Sequence, residues 1–293
     1  LRYYLFVIAR VTKLATRKKI VVGPDGLPAP EVGPWVTHKH RILREYLRFH
    51  SKPRRRWLDD PRQNGAAYID LFCGAGMACV GGAAQFVDGS PLAAWKASLE
   101  DNAPFTNVVI ADQDAELRAA CADRLRRYGA PVVELEGTAI DAARHLSEHL
   151  SPYGLHVAFL DPFSLGALSI ELIRSLAKMH HVDILAHVSA MDLFRNFRAE
   201  LNGKRSEFDD FAPGWRTRIP TNTTDDEGRR IAINYWKELV QATGMNANAD
   251  LRQIRNSVNR DIYWLMLIAS ADLASRFWRV VLTYDTPQIG LGI

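Results

Sequence analysis

The sequence predicts an α/β protein with a mostly parallel central sheet covered by helices on both faces. Two observations carry this. From residue 66 onward, short apolar runs that read as strands alternate with helix-patterned segments, the order expected of successive βα units. The strand runs are also apolar almost throughout, as in "AAYIDLF" and "HVAFLD", and a strand buried on both faces has that character. With 293 residues, of which 47% are hydrophobic and 24% charged, the chain can bury the core of one large domain or two small ones.

The N-terminal part differs from the rest. Residues 1–56 carry 14 Lys and Arg against Asp25, Glu31 and Glu45, a balance of +11, while the remainder carries 23 against 30, or −7. A basic arm on an acidic body points to a polyanion such as nucleic acid, or else to a solvated helix face and a charged linker. Residues 23–34, "GPDGLPAPEVGP", read as a linker because Pro and Gly dominate. "WVTHKHRILREYLRFH", 35–50, has a helical apolar stripe through Ile42, Leu43, Tyr46 and Leu47, with Thr37 as N-cap, and "SKPRRRW" reads as a basic connector. Three domain units follow: an extension and linker at 1–31, a basic helical segment at 32–62, and an α/β domain at 63–293 with a long polar loop at 203–228.

Within that domain, "SPLAAWKASLED" reads as a helix with Ser90 as N-cap and Pro91 in its first turn. "NVVIAD" is a strand, and "AELRAACADRLRRYG" a helix closed by Gly129. The strands "PVVEL", "HVAFLD" and "VDILAHV" alternate with the helices "IDAARHLSEHL" and "SIELIRSLAKM". The helix "RRIAINYWKELVQATG", the buried strand "DIYWLMLIAS", a helix at "ADLASRFW" and a weak tail complete the chain.

Several function classes lack their motifs. No apolar run approaches the roughly 20 residues of a membrane-spanning helix. The opening "LRYYLFVIAR" has no small-residue cleavage site after it and reads as neither signal nor anchor. Three scattered cysteines fit a reducing, cytoplasmic setting rather than a disulfide framework. There is no phosphate-binding G-x-x-x-x-G-K-[ST], and "HKH" at 38–40 and "HH" at 180–181 lack the spacing of a closed metal site, so no metal is expected.

The candidate site lies at strand ends. In "DLFCGAG" Asp70 closes a strand, Phe72 follows, and Gly74 and Gly76 let the backbone turn tightly and approach a ligand. Asp112 ends the next strand, where a carboxylate can bond ribose hydroxyls. "ELEGTA", with Gly137 and Thr138, follows the third strand, and "FLDPF", with Asp161, Pro162 and Phe163, ends the fourth. Each has a bland use as cap, turn or strand stop; their order on successive strands does not. Together they resemble the S-adenosylmethionine site of the Rossmann-like class I methyltransferases. The resemblance implies S-adenosylmethionine bound by Asp70, Phe72, Gly74, Gly76, Asp112, Gly137 and Thr138. One departure is the long interval from Gly76 to Asp112, where such turns have about 20 residues. The excess, "MACVGGAAQFVDG", reads as an inserted loop over the site.

A narrower resemblance follows from "VGPWVTHKHRILREYL", "YIDLFCGAG", "FVDGSPLAAW", "FLDPFSLGALSIELIRSLA", "VDILAHVSAMDLFRN" and "YWLMLIASADLASRFW", in that order. This series, over residues 32–280, is similar to the three-Cys-motif partner (TcmP) family of bacterial and phage proteins. The family implies a methyltransferase-like fold and a partner bearing a three-cysteine, radical-SAM-like motif. Asp161-Pro162-Phe163 also resembles the Asn/Asp-Pro-Pro-Tyr/Phe element of amino-methyltransferases. It implies a catalytic trio in which Asp161 holds a target base amino group and Phe163 stacks on a flipped base. With one proline rather than two the aromatic is displaced by a residue, and Phe163 is as well read as core. "DLFCGAG" also resembles the first motif of cytosine-C5 DNA methyltransferases, but none of Cys73, Cys79 and Cys121 follows a proline as the nucleophile of those enzymes does. Cys73 and Cys121 read as packing residues. Asp183, His187 and Asp192, near the fifth strand, are read as core or capping residues ahead of substrate contacts. A methyltransferase-like binding protein that catalyses nothing is the second functional reading.

Overall fold

The computed structural model describes residues 19–60, 62–81, 85–255 and 261–284. The described chain opens with a hairpin, β1 (Ile20–Val22) and β2 (Pro28–Val32), followed by the 25-residue helix α1 (Trp35–Asp59). Next come the strand β3 (Ala66–Asp70) and a second hairpin, β4 (Met77–Val80) and β5 (Gln85–Asp88). Alternation then runs through α2 (Ser90–Glu100), β6 (Asn107–Ala111), α3 (Ala115–Arg127), β7 (Val132–Leu135), α4 (Ala139–Arg144) and the short α5 (Leu146–His149). It continues through β8 (Leu155–Leu160), α6 (Ile170–Leu176), β9 (His181–Val188) and α7 (Ala190–Leu201). Last come α8 (Glu207–Phe211), a 3-10 turn at Trp215–Arg218, α9 (Asp225–Gln241), β10 (Asn246–Arg255), β11 (Asp261–Ala269) and α10 (Asp272–Tyr284).

Seven strands form the central sheet in the order β10-β11-β9-β8-β3-β6-β7. β7, β6, β3, β8 and β9 are parallel, and β11 runs antiparallel to both its neighbours. The order reverses between β3 and β8, which places a switch point between the ends of "AAYID" and "LHVAFL". All five residues of β3 are buried. Ala67 and Ile69 enter one core with α4, α6 and α9, whereas Ala66 and Tyr68 enter the other with α1, α2, α3 and α10. Strand alternation thus feeds two apolar layers. None of the described helices is long and apolar enough to cross a membrane.

Four sequence expectations change. The linker at 23–34 is instead a hairpin turn and the strand β2, which pairs with β1 on one side and β4 on the other. Pro28 and Pro30 occupy alternate positions of β2, so their missing donors fall on one side and Glu31 N still donates to Lys19 O at 2.7 Å. The inserted loop after Gly76 is the β4–β5 hairpin, which pairs with β2 in a four-stranded sheet ordered β1-β2-β4-β5; residues 82–84 lie outside the described residues. The connector "SKPRRRW" is the second half of α1, which runs through Pro53 because Arg54 is buried and donates to Ala103 O at 2.6 Å over the Phe105 ring. The loop at 203–228 contains α8 and the 3-10 turn, pinned by the buried Phe208, Phe211 and Trp215. Two caps move as well. α1 starts at Trp35, and Thr37 donates its hydroxyl to Pro34 O; α2 is entered from Gly89, and Ser90 is used elsewhere. Gly129 closes α3 at φ +70° as expected. The boundary at 62/63 does not divide the core, since Ile42, Leu43, Tyr46 and Leu47 of α1 pack in one layer with Tyr68 and Val108. Residues 1–18 and the tail 285–293 lie outside the described residues.

Arg124 links the small sheet to α3 and to the glycine turn, and Lys96 of α2 adds a second tie through Asp88 of β5. Arg124 of α3 donates to Asp25 through Nε at 2.6 Å and Nη2 at 2.8 Å, to Pro28 O at 2.9 Å and to Ala75 O at 2.6 Å. Its side chain is 2% exposed. Arg124→Met strands the Asp25 carboxylate and two carbonyls and should cost about 3–5 kcal/mol in chemical denaturation. The Arg124 hydrogen bonds hold the Asp25 carboxyl down at about 2. This contribution is therefore complete above the unfolded carboxyl value of about 3.9 and fades as pH falls toward 2. The gap between wild type and variant should narrow over that window, and a constant gap would exclude the ion pair as its cause.

Candidate active site

The glycine turn follows β3 directly. Asp70 is fully buried beneath it, accepting from Ser90 Oγ at 2.6 Å, Phe72 N at 3.2 Å and Tyr68 Oη at 3.3 Å. Burial lifts its carboxyl to about 7, against the lowering effect of Ser90 and the Phe72 N–H. Asp70 therefore shapes the turn from below, and the surface a ligand would meet is the turn itself. Gly74 has φ +54° and Gly76 φ +73°. A Cβ at Gly74 would point into open space, whereas one at Gly76 would meet Cys121 Sγ at 3.0 Å. Gly76 thus serves packing and Gly74 keeps the mouth of the turn clear. Phe72 is half-buried against the core.

Asp112, just past β6, is joined to this turn. Its Oδ2 accepts from Gly74 N at 2.9 Å and its Oδ1 from Asp114 N at 2.9 Å, while Asp114 caps α3. A carboxylate has about four lone-pair sites, so Asp112 keeps acceptor capacity for hydroxyls. Beyond the next strand, β7, Gly137 has φ +91°. The Thr138 hydroxyl is committed to a capping box with Asp141 at the start of α4, so Thr138 serves the helix rather than a ligand by its side chain. The three thiols are buried, and burial raises that of Cys73 well above its ordinary value.

Asp161, just past β8, sits where four elements meet. Lys39 Nζ of α1 donates to its Oδ2, and His187 Nδ1 of β9 contacts its Oδ1. Tyr263 of β11 lies over His187 with ring centroids 3.9 Å apart. Burial would raise the Asp161 carboxyl, but the charges and hydrogen bonds of Lys39 and His187 outweigh it and hold it well below the carboxylate range. The neighbouring His40 is driven down to about 4 by burial and by Lys39, so it is neutral at pH 7. Pro162 is buried, and Phe163, for which a core role was one reading, is 67% exposed. Asp192 anchors the segment beyond it by accepting from Leu165 N at 2.7 Å.

Sequence reasoning brought Asp70, Gly74, Asp112 and Asp161 to one end of the sheet and missed Lys39 and Tyr263. His187 was read as core or cap and is instead bonded to Asp161; the half-buried Asp183 accepts from Tyr46 Oη at 2.7 Å. The signal for Lys39 was present but masked, since it is one basic residue among many in "THKHRILR".

The fold is of the Rossmann-like class I methyltransferase type. The parallel block β7-β6-β3-β8-β9 is extended by the antiparallel β11 and then β10. Neither a protein-family model nor a curated protein matches the sequence. Among solved structures the chain is similar to TYW2 of P. horikoshii in complex with MeSAdo, at 8% identity over 87% of this chain and 72% of that one, TM-score 0.40. It is also similar to geranyl diphosphate methyltransferase in complex with SAM, at 11% identity over 78% and 89%, TM-score 0.32. A third is the PH0226 protein from Pyrococcus horikoshii OT3, at 11% identity over 76% and 89%, TM-score 0.34. The fold assignment rests on this chain's own strand order.

Because Asp70 binds its proton far more tightly folded than unfolded, its burial costs stability as pH rises from about 4 to about 7. Asp70→Asn keeps an acceptor for Ser90 and removes the titration. Its melting temperature should gain on wild type across that interval, whereas parallel curves would show that Asp70 is already ionised at low pH.

Proposed function

We propose that this protein is an S-adenosylmethionine-dependent methyltransferase acting on nucleic acid. The observation that carries the proposal is the Asp112 carboxylate bonded to Gly74 N, beside a turn left open at Gly74, at the switch point of the sheet. Gly74 and its neighbours would hold the amino-acid part of the donor, Asp112 its ribose hydroxyls, and the Gly137 turn would lie along the adenine. The donor supplies an activated methyl group on sulfonium. Asp161, Pro162 and Phe163 stand on the adjacent strand, with the Phe163 ring exposed for stacking. The base amino group suggested by their resemblance requires Asp161 as its acceptor, and both Asp161 oxygens are already bonded to Lys39 and His187. The order of the six motifs supports the narrower reading as a three-Cys-motif partner protein with a radical-SAM-like companion.

Calorimetric titration with S-adenosylmethionine should show binding to wild type and at least about tenfold weaker binding to Asp112→Ala, a loss of one hydrogen-bonded charged contact. No binding to wild type would overturn the cofactor assignment.

Nucleic acid is supported by the outer face of α1. Arg41, Arg44, Arg48, Lys52 and Arg55 are exposed at helical spacing along one side. A cleft of about 630 Å³ between α1 and α10 is lined by Arg48, Lys52 and Arg55 beside the stacked rings of Phe49 and Phe277, with the carboxylates of Glu45 and Asp101 also on its wall, so that cations outnumber anions and aromatic surface lies next to them, as in single-strand binding grooves. Changing Arg48, Lys52 and Arg55 together to Gln should lower affinity for a short single-stranded RNA and reduce the slope of log K against log salt by about 2. An unchanged slope would place the polyanion elsewhere.

A further inference from the structure

Two large aromatic side chains stand open near the Asp161 end of the sheet. Phe163 is 67% exposed and Trp35 is 39% exposed. Apolar residues exposed singly need no explanation, but one ion pair joins the segments that carry these two. Phe163 comes two residues after Asp161. Trp35 begins α1 and stands one turn before Lys39 on the same side of the helix. Helical side chains lean toward the N-terminus, so Lys39 reaches back over the turn that Trp35 begins and donates to Asp161. The ammonium and the carboxylate offset one another, so neither is left to draw in an ion. What stands open on either side of them is aromatic surface.

Trp35 is held in place by its own turn. A Cβ at Gly33 would lie 1.9 Å from the indole, so the ring rests directly on the Gly33 backbone. Val36 N donates to Gly33 O at 3.2 Å and closes that turn. A ring seated in this way loses little freedom when a second ring settles on it. The rest of α1 indicates what that second ring belongs to. Its outer side carries Arg41, Arg44, Arg48, Lys52 and Arg55. Glu100 and Glu45 pair with Arg44 and Arg48, and the cations remain in excess, the charge complement of a polyanion. Nucleobases are the planar groups of such a polyanion, and aromatic platforms beside a basic track hold unpaired strands.

We propose that Trp35 and Phe163 form the two sides of a clamp for one unpaired nucleobase of a single-stranded nucleic acid, with Gly33 the residue that positions Trp35. The inference rests on the nucleic-acid reading above and adds to it a second stacking ring, on a different element from Phe163.

The test measures binding of the full chain to a labelled single-stranded oligoadenylate of about 12 nucleotides and to the same sugar-phosphate chain without bases, by fluorescence anisotropy. Trp35→Leu and Phe163→Leu should each bind oligoadenylate at least about fivefold more weakly and the abasic chain as wild type does. The slope of log K against log salt should not change, because no phosphate contact is lost. Trp35→Tyr should keep most of the affinity. Gly33→Ala displaces the indole without removing it, so it should weaken oligoadenylate binding much as Trp35→Leu does, and the two changes together should be no worse than either alone. Oligoadenylate binding by Trp35→Leu as tight as wild type would overturn the clamp and leave the basic face of α1 as the site. Equal losses for the two chains would also overturn it, since Trp35 would then act through the fold. Failure of wild type to bind either chain would remove the nucleic-acid reading and this inference with it.

Discussion

One carboxylate organises the functional end of this molecule. Asp161 ends β8, accepts from Lys39 of α1 and contacts His187 of β9. It thereby joins a helix from before the sheet to two strands within it. Little of this can be gained as net stability, because desolvating an ion pair consumes most of what its attraction returns. What the arrangement does secure is orientation: an ammonium and an imidazole are held at fixed positions beside the switch point. The helix that delivers Lys39 is held in turn by the apolar layer through Ile42, Leu43, Tyr46 and Leu47 and by the buried Arg54. Packing along one face of α1 sets the position of chemistry at its beginning.

The fold was legible in the sequence because its determinants are local. "AAYID", "NVVIA" and "HVAFL" are apolar enough to be strands only between two layers of helix, and Gly74 and Gly129 mark turns that need positive φ. The misread segments were those whose structure depends on distant partners. Pro28 and Pro30 look like linker residues until β4 and β1 are placed beside them. Trp215 looks like part of a polar loop until Phe197 and Phe208 meet it.

The site divides along the same line. Asp70, Gly74, Asp112 and Asp161 occupy strand ends and could be found from order alone. Lys39 could not, since it stands 122 positions from Asp161 and its sequence neighbours are equally basic. Tyr263 sits inside an apolar strand, where a tyrosine ordinarily packs and finds a partner for its hydroxyl. Only the absence of that partner among the described residues distinguishes it.

The Arg124 fork has a consequence for how such a protein can change over time. Because one guanidinium bonds both the β1–β2 hairpin and Ala75 O in the glycine turn, the N-terminal segment is not an ornament that recombination can exchange at will. A new leading segment would have to supply its own anion and carbonyls to a buried cation, or arrive together with a replacement for Arg124. The hairpin and α3 are thus bound to evolve as a pair, although Asp25 and Arg124 stand 99 positions apart.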